Sequence, residues 1–497
     1  MIKKTRQIIA AVSITAMTVL LLGMSPMLVK WLGWMPEIQL LPAVLAMNVV
    51  VVAALMVATL IFGRIYCSVV CPLGIMQDII ARLGHSGRRK PYAYAKAHTV
   101  LRLLFLAILV VTLLAGVGAV AALLAPYSTF ARMVTHLLQP LWMWATTMFA
   151  GADDGSQGMP PEPWLRTWQA LALSLVSMTV IAVMAWRWGR LWCNTVCPVG
   201  TVLGFLSRFS WLKVRFNAES CRHCGKCTSH CKSGCINDKT LTIDHSRCVV
   251  CGNCLSQCEF GALRYAGGKL IHDERKAVTA ASTRKDDAPD PSRRAFLIAT
   301  GMLATAAVAE KAGAMDRGMG VLAGRKIPSR KTPVLPPGSL SAENMARRCT
   351  ACQLCVSKCP HQVLRPSTRL LTFMQPEMSF ERGWCSPRCT RCSRVCPTGA
   401  IQPITREEKA TLKRGEAQWI ERNCLPMTDG GFCGLCAMSC PTKAITMVER
   451  SNGRGIVQVP SVNASLCVGC GACENACPAR PFPAIYVEGS ATQKVLR

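Results

Sequence analysis

The chemistry in this chain is carried by its cysteines: 24 of the 29 stand in six groups of four. Four groups read C-x2-C-x2-C-x3-C: Cys221/Cys224/Cys227/Cys231, Cys248/Cys251/Cys254/Cys258, Cys349/Cys352/Cys355/Cys359 and Cys467/Cys470/Cys473/Cys477. Cys385/Cys389/Cys392/Cys396 lengthens the first step slightly, and Cys424/Cys433/Cys436/Cys440 stretches it further. In such a run three thiolates hold one [4Fe–4S] cube and the fourth crosses to a neighbouring cube. The spacing therefore predicts six [4Fe–4S] clusters in three dicluster modules, and a chain that moves electrons.

Other cysteine chemistries fit poorly. A zinc site pairs two C-x-x-C knuckles across a longer gap, because four ligands must surround one small ion. Here the fourth cysteine follows at once, with Pro behind it at Pro360, Pro397, Pro441 and Pro478. A disulfide scaffold belongs to short secreted chains, which this is not. No C-x-x-C-H occurs, so covalent c-type haem is not expected.

Crossing the fourth cysteine assigns the ligands. In the first module Cys221, Cys224 and Cys227 share a cube with Cys258, and Cys248, Cys251 and Cys254 with Cys231. Lys232 and Glu259 replace the Pro here, and Cys235 is a spare thiol that could stand in for Cys231. Adjacent pairing in the second half joins Cys349/Cys352/Cys355 to Cys396, Cys385/Cys389/Cys392 to Cys359, Cys424/Cys433/Cys436 to Cys477, and Cys467/Cys470/Cys473 to Cys440. Nested pairing of outer with inner groups uses the same ligands.

The other four cysteines belong to a repeat. G-R-I-Y-C-S-V-V-C-P-L-G at Gly63–Gly74 returns as G-R-L-W-C-N-T-V-C-P-V-G at Gly189–Gly200. Each copy ends an apolar stretch, as expected of a duplicated membrane unit. Cys67, Cys71, Cys193 and Cys197 are then redox or metal thiols facing one another across a pseudo-twofold. The bland alternative is that C-x3-C-P only shapes a helix exit and the thiols pack as small apolar residues.

The elements that must position these groups are mostly apolar. The hydrophobic fraction is 51% and the mean hydropathy +0.28, too high for an all-soluble chain of 497 residues. Ile8–Val29, Leu40–Phe62, Val100–Ala125 and Gln169–Trp186 are each long and apolar enough to cross a bilayer. Phe130–Phe149, with Trp142 and Trp144, reads as an amphipathic helix on the outer face. The net charge of +30 suggests nucleic acid at first sight. Six cubes at about −2 each would cancel much of it. Much of the rest, including Lys3, Lys4, Arg6, Arg64, Arg82, Arg102, Arg187 and Arg190, flanks the spans, so no nucleic-acid partner is expected. Asp153, Asp154 and Glu162 occupy the opposite loop. The positive-inside bias puts the N-terminus and residues after span four in the cytoplasm.

A polar linker, Thr279–Pro291, precedes S-R-R-A-F-L-I-A-T-G-M-L-A-T-A-A-V-A at Ser292–Ala309. Paired Arg293-Arg294 before small apolar residues resembles a twin-arginine export signal, and Ala312-Gly313-Ala314 offers a cleavage site. That route carries folded proteins, which suits modules whose clusters are assembled in the cytoplasm. The expected order is a membrane domain over 1–215, a cytoplasmic dicluster module over 216–270 and a linker over 271–291. A signal or anchor over 292–314 and a linker over 315–341 follow, then exported dicluster modules over 342–405 and 406–490. The fold class is a polytopic α-helical membrane domain of four spans, with an optional fifth helix, carrying three small α+β ferredoxin-like modules.

On these motifs, residues 1–270 resemble NapH, the membrane quinol-dehydrogenase component of periplasmic nitrate reduction, and its NosR and CcoG relatives. Residues 290–490 resemble NapG and MauM, twin-arginine-exported proteins with four [4Fe–4S] clusters. The resemblance implies a NapH–NapG-like fusion in the bacterial cytoplasmic membrane. It would take electrons from the quinone pool or a cytoplasmic donor and deliver them to a periplasmic reductase or cytochrome. Catalysis would be cofactor chemistry, with no catalytic side chain to name. His136 and Trp142 are candidates for quinol contact. The alternatives are a copper-reducing maturation factor, with Cys67, Cys71, Cys193 and Cys197 meeting the metal, or a NosR-like regulator.

Overall fold

The computed structural model describes residues 2–23, 31–86, 92–149, 168–267, 326–453 and 455–496. The expected outer loop near residues 150–168, the linker 271–291 and the Arg293-Arg294 signal lie almost wholly outside them.

The N-terminal half is a helical bundle. Helix α1 (Ile2–Leu22) is apolar beyond its basic start at Lys3, Lys4 and Arg6, and α10 (Trp168–Trp188) is apolar up to Arg187 near its end. Among the described residues these two helices alone are long and apolar enough to cross a membrane unbroken. The other two expected spans are each interrupted. Leu40–Phe62 divides into α2 (Leu40–Leu45) and α3 (Val49–Phe62), because Met47 enters the left-handed region and Asn48 caps α3, its Oδ1 accepting from Val51 N–H at 3.2 Å. Val100–Ala125 divides into α6 (Thr99–Leu114) and α7 (Gly118–Leu124) at Gly116, φ +73°. Between these pairs lie α4 (Tyr66–Val69) and α5 (Pro72–Ser86).

The predicted surface helix at Phe130–Phe149 is placed differently. It continues α8 (Pro126–Met133) through a π-turn (Val134–Leu138) into α9 (Gln139–Phe149). Tyr127, Phe130, Met133 and Val134 are buried in the core with Met17, Leu21 and Ile181. Apolar residues occupy too wide an arc of this segment for one membrane-facing stripe, so its first half enters the bundle while Leu138, Leu141, Trp142 and Trp144 remain exposed.

The repeat is visible as a crossing. Helix α5 follows the first cysteine motif and packs along α10, which precedes the second. After the second motif come α11 (Leu191–Thr195) and α12 (Pro198–Ser207), and α12 packs against α3. Each copy is thus completed by the other.

The cysteine-rich modules are short loops and helices pinned by two-stranded antiparallel sheets. Strands β1 (Lys213–Phe216) and β4 (Leu263–Ala266) close the first module; a two-residue pair, β2 (Ile236–Asn237) and β3 (Thr242–Ile243), lies between them. The second module is pinned by β5 (Leu364–Pro366) with β6 (Pro376–Met378), and the third by β7 (Leu412–Trp419) with β10 (Ile485–Val495) and β8 (Ile445–Ser451) with β9 (Ile456–Val462). Residues 326–341, expected as linker, are a packed strap. Arg330 pairs with Glu474 at 2.5 Å, and Val334 is fully buried in the second module's core.

Helix α1 touches modules at both ends. Lys3 Nζ donates to Ser256 Oγ in the first module at 3.2 Å. Gly23, one residue beyond its far end, lies against Lys358 of the second. The first and second modules therefore sit at opposite ends of the bundle.

Candidate iron–sulfur sites

The thiols of the second half fall into four sets. Cys349, Cys352 and Cys355 lie within electrostatic range of Cys396, and Cys392 within that of Cys385, Cys389 and Cys359. Cys470 and Cys473 face Cys467 and Cys440. Cys424, Cys433, Cys436 and Cys477 line one cavity walled by Trp419, Pro460, Ala484 and Ile485. The geometry is adjacent pairing; nested pairing would join groups whose thiols occupy separate cores.

Among the described residues no three His, Cys, Asp or Glu side chains converge closely enough to surround a single ion. A cube spreads its four thiolates around a larger body, so all-thiol sets in apolar pockets fit it better than they fit zinc. Tight turns shape these pockets: Gly471, φ +78°, lies hard against the Phe380 ring, where a Cβ would collide.

In the first module Cys248, Cys251 and Cys254 gather with Cys231. Cys235 lies beside Cys231: its sulfur is 3.5 Å from Cys231 Sγ and also reaches Cys248. Cys227 and Cys258 pack in the same apolar cluster, whereas Cys224 is exposed.

These sets form an order. Tyr127 and Arg132 of the bundle reach Cys352. The next set is joined to the third module at Cys385, whose N–H donates to the Cys470 carbonyl at 3.0 Å. Arg414 Nη1 stands 3.2 Å from Cys385 Sγ, and Lys409 donates to the Ser386 carbonyl at 2.6 Å. Burial pushes the Cys385 thiol up, but Arg414 and Lys409 outweigh it and hold the thiol below its ordinary range.

The repeated motif builds another cluster. Cys67, Cys71, Cys193 and Cys197 are each 4% exposed, and Cys71 and Cys197 both lie within range of Cys67 and Cys193. The motif arginines cross between copies. Arg64 Nη2 donates to the Cys193 carbonyl at 3.4 Å, and Arg190 Nη1 to the Cys67 carbonyl at 2.7 Å. Arg6, Arg64, Arg102 and Arg190, expected as flanking charges, are all buried, because the motif carbonyls, Ser246 and Asp78 take their donors. Asp78, which the sequence does not single out, receives Arg190 at 2.8 Å, Arg6 at 2.9 Å and Lys232 at 3.5 Å. The arginines' identical place in both motif copies was the signal for such a role.

The quinol candidates do not come together as a site: His136 is buried in the bundle and Trp142 faces outward. A cavity of about 670 Å³ opens instead beside Cys231, lined by Tyr94, His98, Trp186, Arg187 and Trp188.

All-cysteine sets in small two-stranded modules define an iron–sulfur protein of electron transfer. A "4Fe-4S binding domain" profile matches residues 44–91 and 171–218. "4Fe-4S dicluster domain" profiles match 244–363 and 431–480. The first of these dicluster matches joins Cys248–Cys258 to Cys349–Cys359, which the structure places in different modules. The methylamine utilization ferredoxin-type protein MauM of Methylobacillus flagellatus is 32% identical over 171 residues, 32% of this chain and 70% of that protein. The ferredoxin-type protein NapF of Escherichia coli is 30% identical over 155 residues, 31% of this chain and 85% of NapF. The E. coli protein named "Putative electron transport protein YccM" is 27% identical over 233 residues, 44% of this chain and 57% of YccM. The chain belongs to the ferredoxin-type family of MauM, NapF and NapG. No solved structure matches it.

Proposed function

We propose that this protein is a membrane-spanning NapH–NapG-like fusion that takes electrons from quinol and delivers them to a redox partner on the exported side. The observation that carries this reading is the placement of thiol sets at both ends of one apolar bundle, with α1 touching a module at each end. In this reading the 24 cysteines of the six groups are the cube ligands, each fourth cysteine crossing to the adjacent group. When bound, the cubes would supply one-electron chemistry. The chain's own residues fix their order, exclude water and set the local charge through Arg414, Lys409 and Lys232.

The cavity beside Cys231 is the quinol site in this reading. Its volume suits a small molecule, its aromatic walls suit a ring, and His98 and Arg187 supply polar groups. The rival roles, copper reduction with maturation or redox regulation, give no work to four thiol sets at the far end of the bundle.

Potential-controlled EPR of purified membranes with an iron count tests the proposal. At least about 24 Fe per chain and quinol-dependent reduction are expected. A count near 8, or clusters that quinol cannot reduce, would sink it. Protease added from one side should cut the first module only when the cytoplasmic face is open.

A further inference from the structure

The four motif cysteines lie outside the six groups, and their surroundings carry more charge than the described acids balance. Arg64 is wholly buried, has no ion-pair partner among the described residues, and its Nε makes no hydrogen bond. Its Nη2 stands 3.9 Å from Cys67 Sγ, and the same guanidinium lies within range of Cys248. Nearby Arg6, Arg190 and Lys232 share the single carboxylate of Asp78. Four buried cations against one buried acid is a costly arrangement unless further negative charge is bound among them.

The donors for such a group are present. Cys67 and Cys71 come from one copy, Cys193 and Cys197 from the other, and the copies are locked by the crossed arginines. The Gly200 N–H points at Cys197 Sγ at 3.4 Å, a donor suited to a thiolate. Gly74 and Gly200 lie so close to the Cys67 and Cys193 carbonyls that a Cβ at either would collide. Both loops are therefore held against the helices that follow them. The ranges matched by the 4Fe–4S binding profile contain these four cysteines and no others.

We infer that Cys67, Cys71, Cys193 and Cys197 together hold a seventh cluster, a single [4Fe–4S] cube shared across the pseudo-twofold and balanced by Arg64 and Arg190. Either copy alone supplies only two ligands, so the duplication is what makes the site. The thiols release their protons as they bind iron, and the cube's negative charge, about −2 with four thiolates, then sits beside the two guanidinia. The site lies between the first module and the bundle, with Arg64 spanning the step from Cys248 to Cys67.

The test is a difference in iron content per chain, measured on the full-length protein in membranes. Wild type is expected to hold about 28 Fe, and the double variant Cys67→Ser/Cys193→Ser about 24. Separate Cys71→Ser and Cys197→Ser variants, one in each copy, should each lose the same four irons, and one EPR signal should disappear while the others persist. Equal counts in wild type and variants overturn the inference, as does a loss of two irons or a Cys67–Cys193 disulfide in the isolated protein. A wild-type count of about 24 with unchanged variants rejects only the seventh cube. A count near 8 rejects the proposed function instead. If the double variant does not accumulate, the two single variants decide.

Discussion

The Cys385 N–H donates to the Cys470 carbonyl at 3.0 Å across the seam between the second and third modules. One backbone hydrogen bond thus ties a ligand loop of one module to a ligand loop of the next. Buried Arg414 sits at the same seam, donating through Nε to the Val468 carbonyl at 3.2 Å and through Nη1 to Cys385 Sγ.

Removing that charge should make the neighbouring cube harder to reduce. At roughly 7 Å and an effective dielectric of about 20, one unit charge is worth roughly 2 kcal/mol, on the order of 100 mV for a one-electron couple. Arg414→Gln should lower one EPR-monitored potential by that order, and Arg414→Lys should recover most of it. An unshifted titration would contradict the assignment.

Among the described residues Asp78 is the only acid paired with three cations. Asp78→Asn should leave them unbalanced at a cost of about 3–5 kcal/mol. The first module should then loosen from the bundle, seen as faster proteolysis within the module and a lower melting temperature. Asp78→Glu should be milder. Equal protease half-lives in Asp78→Asn and wild type would count against this reading.

Gly74→Ala and Gly200→Ala place a methyl group against backbone carbonyls that cannot rotate away. Each should cost about 1–3 kcal/mol and reduce accumulation of folded protein. Gly431→Ala, with open space at its Cβ position, is the neutral control. Melting curves of the three variants are the measurement.

Cys235→Ser should leave the iron count unchanged, because Cys231 holds the fourth place of the C-x2-C-x2-C-x3-C run and Cys235 stands outside that run. The EPR line shape of that cube should change as its neighbouring sulfur is lost. A loss of four irons would make Cys235 the ligand.

Trp186→Ala removes an aromatic wall of the cavity beside Cys231. The apparent KM for quinol should rise about tenfold, equivalent to about 1.4 kcal/mol, with kcat little changed. Unaltered quinol kinetics would place the site elsewhere.

The cysteine groups were readable because a ligand run is local: three short steps fold one loop around one group. The motif repeat was readable for the same reason, since its two copies can be laid side by side. The pairing of sets was not, because crossing depends on which loops share a core. Arg64 and Arg190 looked like flanking charges because burial comes from contacts more than 100 residues away, as between Arg190 and Cys67. The inward turn of Phe130–His136 escaped notice because apolar residues suit a lipid-facing surface and a protein interior alike. The breaks at Met47 and Gly116 were hidden because hydropathy records composition and not the sign of φ.

Helix α1 is the earliest of the described elements in this sequence, yet its far end meets Lys358, some 335 residues later in the chain. It therefore acts as a gauge: its 21 residues, about 30 Å of helix, fix the separation between the two module seats. Completion of the fold must wait until the last third of the chain has reached the opposite end of the bundle. An N-terminal truncation would then remove both seats at once, although it deletes not one cysteine.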